Sequence, residues 1–168
     1  MMIRFLTTLV LAVLISGLAL AESEDPLEFG GIRLGQSSVA VVKTLGQPVE
    51  KGESREEMAT GELVERWKYP ALGLNIDFSH LKEKEPLKVY RILAEQPCSM
   101  RAYRGVTIGT FEAEVGAIAR ELEKTRGVEV SQQPGRGYGF LWVDEYQLLS
   151  LTLKNGKVSE IYLGPGPE

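Results

Sequence analysis

Gly31-Ile32-Arg33-Leu34-Gly35 returns as Gly105-Val106-Thr107-Ile108-Gly109, a spacing of 74 residues. Trp67 has a counterpart in Trp142, and the alternation Leu74, Ile76, Phe78 has one in Leu149, Leu151, Leu153, both at a spacing of 75. Val89 and Ile92 come back as Val158 and Ile161 at a spacing of 69, so the second copy carries a shorter connection. Each landmark is apolar or glycine, which a repeated fold requires and a repeated active site does not. The reading is two units, residues 22–95 and 105–163, with a connector at 96–104 and a Gly/Pro tail at 164–168.

Within each unit a helix comes first. Ser37 or Ser38 supplies an N-cap, Val39, Val41, Val42 and Leu45 an apolar face, and Gly46 with Pro48 a stop. In the second unit Thr110 is the expected cap, and Phe111, Val115, Ile118, Ala119 and Leu122 follow at helical spacing up to Gly127. Glu112 and Glu114 at its start and Lys124 and Arg126 at its end match the helix dipole.

Strands follow. Leu63, Glu65, Trp67 and Tyr69 alternate with Val64, Arg66 and Lys68, and residues 72–78, 87–94, 138–143 and 146–153 carry further strand patterns. Val49–Glu53 and Val128–Ser131 are candidates for a leading strand in each unit. Asn155-Gly156 is a hairpin signal, because a type I′ turn needs positive φ at both central residues. Val89 and Ile92, like Val158 and Ile161, stand three apart, so a bulge or a strand end must intervene if both members of a pair face the core. The fold class is α+β: two tandem helix-plus-antiparallel-sheet repeats forming a broad sheet with helices on one face. The other face, with Glu65 or Arg66, Asn75, Asp77, Ser150 and Thr152, is expected to be open.

Residues 1–21 read as a secretory signal peptide: Arg4, then an apolar run, then Ala19-Leu20-Ala21 as an A-x-A cleavage pattern. The run from Phe5 to Leu20 falls short of the roughly 20 apolar residues that span a bilayer. A periplasmic or secreted product with no stable membrane insertion is therefore expected. The net charge of −4 argues against nucleic acid as a partner, and no basic run interleaved with aromatics is present. A single cysteine, Cys98, excludes an internal disulfide and leaves an intermolecular Cys98-linked dimer, a metal-binding or reactive thiol, or an incidental small hydrophobe.

The single histidine, His80, has no second histidine to share a metal, and Ser79 beside it is adjacency rather than a triad. No phosphate loop, paired-carboxylate signature or nucleophile elbow appears, so neither an enzyme nor a cofactor is expected. Trp67, Tyr69, Tyr138, Phe140, Trp142 and Tyr146 are candidate partner-binding residues, since Trp and Tyr concentrate binding energy at interfaces. The competing reading packs the repeated tryptophans against their own helices. The charged connection from Glu50 to Glu62 reads either as a hairpin reaching into a partner or as a solvated run.

Gly-x-x-x-Gly, Val41-x-x-x-Leu45-Gly46-x-Pro48, Trp67-x-Tyr69, Gly73-Leu74-x-Ile76-x-Phe78 and Val89-x-x-Ile92 together resemble the repeat of the beta-lactamase inhibitory protein superfamily. That superfamily also holds the small outer-membrane assembly lipoproteins of the SmpA/OmlA type. The second unit keeps the glycines, Val115, Trp142 and the strand positions but lacks the Leu-Gly-x-Pro ending. The resemblance implies an exported, non-enzymatic module of the cell envelope that grips another protein by its sheet face or hairpin loops. The chain departs from the inhibitory proteins in having no disulfide, and from the lipoproteins in having two units and no lipobox. A small-ligand module for lipid, peptide or glycan is the alternative.

Overall fold

The computed structural model describes residues 25–58, 60–81 and 85–166, so the expected signal peptide and the end of the Gly/Pro tail lie outside the described residues. The order is β1 (Glu28–Phe29), β2 (Ile32–Arg33), α1 (Ser38–Leu45), β3 (Glu50–Lys51), β4 (Arg55–Glu56), β5 (Leu63–Tyr69), β6 (Leu74–His80) and β7 (Lys88–Glu95). After the connector come α2 (Glu112–Leu122), β8 (Val128–Gln133), β9 (Gly137–Trp142), β10 (Gln147–Lys154) and β11 (Lys157–Pro165). The class is α+β.

One large sheet runs β3-β5-β6-β7-β11-β10-β9-β8, with β4 also on β5. All its pairings are antiparallel. The two halves meet where β7 pairs with β11, placing Ile92 opposite Leu163 and Ala94 opposite Ile161. The register slips at the same place in both halves, between Asp77 and Phe78 against β7 and between Thr152 and Leu153 against β11. Those slips bring Val89 with Ile92, and Val158 with Ile161, onto one face, as the three-residue spacing requires.

Each glycine pair docks its helix entry in the same way. Gly35 N–H donates to Val89 O and Gly109 N–H to Val158 O, both at 2.8 Å. Val89 N–H returns to Gln36 O and Val158 N–H to Thr110 O. The helix caps differ: Ser37 Oγ accepts from Ala40 N at 3.3 Å, whereas α2 starts from Phe111 with no side-chain cap. Thr110, expected to cap, instead turns its hydroxyl to the Thr107 N–H at 3.0 Å.

The period of two along the strands sends Trp67, Ile76, Ile92, Leu163, Leu149 and Phe140 to one side, each across from the next in register. Val41 of α1 and Val115, Ala119 and Leu122 of α2 close onto that side and form one buried cluster with them. Phe78, Ile76 and Phe140 are at most 1% exposed, and each such side chain contributes about 1.5–3 kcal/mol of burial. Phe29 and Ile32, from a two-strand hairpin with no periodic signal in the sequence, join the same core. Gly73 is needed where it stands. Its φ is +61°, and a Cβ there would lie 2.2 Å from Glu95 O and 2.6 Å from Cys98 N, where the connector crosses.

Candidate functional site

Among the described residues, no helix lies against the other side of the sheet. Register brings three charged residues into a row across it: Arg66 on β5, Asp77 on β6 and Arg91 on β7. Asp77 is 1% exposed, the one charged residue buried among the described residues. A buried carboxylate must be paired and hydrogen-bonded, and here both oxygens are. Arg66 grips it side-on, Nε to Oδ1 at 2.6 Å and Nη2 to Oδ2 at 2.8 Å. Arg91 donates its Nε to Oδ2 from the opposite flank. The arginines thereby stay fixed with their outer parts in water, the Arg66 side chain being 47% exposed and that of Arg91 24%.

The charged connection from Glu50 to Glu62 forms a strap along the β5 edge, beside this row. β3 and β4 pair with β5, Gly52 N–H donates to Arg66 O at 2.7 Å, and Lys68 Nζ meets Glu50 at 3.0 Å. Arg91 Nη2 donates to Glu57 Oε2 at 3.0 Å, so one guanidinium joins a sheet carboxylate to one in the strap. Between strap and sheet lies an open groove of about 720 Å³. Tyr90, stacked with the Arg91 guanidinium 5.3 Å from its ring, has its phenol pushed up by burial and by the Glu57 charge. Tyr162 is likewise raised by burial, against an opposing pull from Arg91, and donates to Pro165 O at 2.9 Å.

In the second half, the same face is shallow because Gly137 and Gly139 supply no side chains. A groove of about 570 Å³ lies there beside Leu141, Leu148, Ser150 and Thr152.

The candidate aromatics sit elsewhere. Trp67, Tyr69, Tyr138 and Phe140 are buried on the helix side, where they pack the core rather than face a partner. The Trp67 ring lies 4.4 Å from that of Phe78, its indole N–H donates to Glu65, and Lys51 Nζ sits 3.9 Å from its centroid. Trp142 is half-buried and meets Tyr103 edge-on at 5.4 Å. Tyr146 is 46% exposed, in the β9–β10 turn with a φ of +50°.

His80 Nε2 lies 3.2 Å from Ser54 Oγ. Cys98 is buried and its thiol is pushed up by that burial, so in this fold it is not presented to a second chain. Among the described residues no three His, Cys, Asp or Glu come together as a metal site, and no helix is long and apolar enough to cross a membrane.

Sequence reasoning put Asp77 on the open face, with either Glu65 or Arg66, but did not single them out, and it passed over Arg91. The available signal was the alternation itself, which sets a lone acid between basic residues of the two flanking strands once the register is known. Comparison with protein-family models, curated proteins and solved structures found no match.

Proposed function

We propose that this protein is an exported, non-enzymatic protein-binding module of the cell envelope, built from two tandem repeats of the inhibitory-protein type, and that its partner docks on the helix-free face of the sheet. One observation carries the reading: that face holds two arginines fixed in orientation by a buried aspartate. Burying a carboxylate is costly, and such a pair supplies directional recognition rather than packing. The extent of the face also suits a protein. Eight strands at about 4.8 Å cover roughly 34 Å, room for the roughly 800 Å² per partner of an ordinary interface.

The equivalent docking of Gly35 and Gly109 onto Val89 and Val158, with the bulge repeated beside each, supports the tandem-repeat reading. The groove above Gly137 and Gly139 favours the second reading, a small ligand held on the same face.

A photoreactive residue at Ser150, on the open face, tests the proposal against one at Arg120, an exposed position of α2. In crosslinked envelopes of the source cell, a discrete adduct from Ser150 and none from Arg120 is expected. Equal labelling from both positions would sink the docking face.

A further inference from the structure

The strap and the sheet beside it have opposite charge. Residues 52–62 bring Glu53, Glu56, Glu57 and Glu62 with a single cation, Arg55. Beside them the sheet presents Arg66, Arg91 and Lys68, the last paired with Glu50 of β3, while Asp77 is buried with both oxygens engaged. A cationic patch is therefore bordered by an anionic segment of the same chain, which reaches it through Glu57. Backbone bonds hold the segment to β5, through β4 and through Gly52 N–H on Arg66 O, and the Glu57 carboxylate on Arg91 Nη2 adds an ion pair to the row itself. That carboxylate is 28% exposed, within reach of a competitor, and Met58 next to it is 98% exposed.

We propose that Arg66, Asp77 and Arg91 form a binding site for a carboxylate of an acidic protein segment, and that Glu57 is the resident occupant which that segment displaces. The proposal rests on the protein-binding reading and names the partner's chemistry. Asp77 spends its charge holding the two guanidiniums at a fixed spacing, so the patch keeps a net positive charge once Glu57 leaves. Replacement of Glu57 by an incoming carboxylate exchanges one charge-assisted hydrogen bond for another. The strap then acts as an autoinhibitory contact: weak acids fail to dislodge it, and segments with several acidic residues succeed by meeting Arg91, Arg66 and Lys68 together.

The test uses the full chain, exported and purified, with arginine Nε–H groups followed by NMR. The probe is an N-acetylated, C-amidated hexaglutamate, with hexaglutamine as control. Glu57→Gln keeps the strap's shape and backbone bonds and removes its charge. Arg66→Gln keeps Asp77 paired to Arg91, so the fold survives. The expected result is that hexaglutamate shifts the Arg91 and Arg66 resonances, binds Glu57→Gln about tenfold more tightly than the parent, and loses its effect on Arg66→Gln. An unchanged affinity in Glu57→Gln, or equal shifts from hexaglutamine, would overturn the site.

The two proposals fail separately. A protein crosslinked through Ser150 that binds the parent and Arg66→Gln alike keeps the docking face and removes the carboxylate site. Hexaglutamate binding as expected, with no protein adduct at Ser150, keeps the carboxylate site and removes the protein-binding reading.

Discussion

Glu95 on β7 lies directly opposite Glu160 on β11, across the ladder that joins the two halves of the sheet. Both side chains are exposed, so water screens the repulsion without abolishing it. Like charges directly opposite on neighbouring strands destabilise, and opposite charges contribute roughly 0.2–1 kcal/mol. Glu160→Lys is therefore expected to raise the urea midpoint by a stabilisation of that size. The gain should shrink at high salt, and a gain that survives 1 M salt would point to packing rather than charge.

The Arg66–Asp77–Arg91 row predicts an asymmetry between its members. Asp77→Ala leaves two guanidiniums facing each other over a buried gap. The expected cost is about 3 kcal/mol, the low end for breaking a buried pair because both arginines keep contact with water. Arg66→Gln removes a half-exposed partner while Arg91 still holds the carboxylate, so its cost should stay within about 1 kcal/mol. Urea unfolding of the two variants distinguishes them, and equal costs would contradict the division of labour.

The tryptophans are not equivalent, although their sequence positions match. Trp67 is 3% exposed against Phe78, and Trp67→Ala should cost about 3–5 kcal/mol. Trp142 is half-buried beside Tyr103, and Trp142→Ala should cost about 2 kcal/mol. Each single variant retains one indole, so fluorescence-monitored unfolding reports both without a label. A larger loss from Trp142 would reverse this ranking.

The alternation of Leu74, Ile76 and Phe78 made β6 legible, because a half-buried strand imposes a period of two on its own residues. The bulges were legible for a related reason: Val89 and Ile92 cannot share a face of a regular strand at a spacing of three. What the sequence did not reveal depends on which strands become neighbours. Arg66 and Arg91 lie 11 and 14 residues from Asp77, and only the β5-β6-β7 register turns those separations into contacts. The same limit hid the strap, whose run of glutamates reads locally as a solvated loop until Arg91 lies beside it. The aromatics misled in the other direction. Residue type marks Trp67, Tyr69, Tyr138 and Phe140 as interface-like, and strand parity then sends them to the helix side.

Alkaline pH should destabilise the protein from about pH 9 upward. Burial raises the Cys98 thiol above its ordinary 9.0 and the Tyr69, Tyr90 and Tyr162 phenols above their ordinary 10.0. An acid with a raised folded-state pKa holds its proton more tightly when folded, so stability is undiminished below the unfolded value and falls as pH climbs past it. Tyr69→Phe should flatten that fall, since burial alone raises Tyr69 and its hydroxyl makes only a 3.4 Å contact with Gly46 O. Urea midpoints from pH 7 to 11 for parent and variant provide the check, and parallel curves would remove Tyr69 from the account.

The two helix starts offer a prediction of opposite sign. Ser37 caps α1, and Ser37→Ala should cost about 1 kcal/mol. Phe111 occupies the corresponding place before α2 with φ −71° and ψ 144°, the extended conformation a capping residue adopts, but its ring cannot accept a hydrogen bond. It is 55% exposed, with Lys157 Nζ 4.5 Å from the ring. Phe111→Asp should therefore add a cap and a favourable charge at the helix start while exchanging a cation–π contact for an ion pair. A gain of about 0.5–1 kcal/mol follows, read as a rise of roughly 1–4 °C in Tm for a chain of this size. A fall in Tm would mean that the Phe111 ring contributes more against Lys157 than a cap would at the same position.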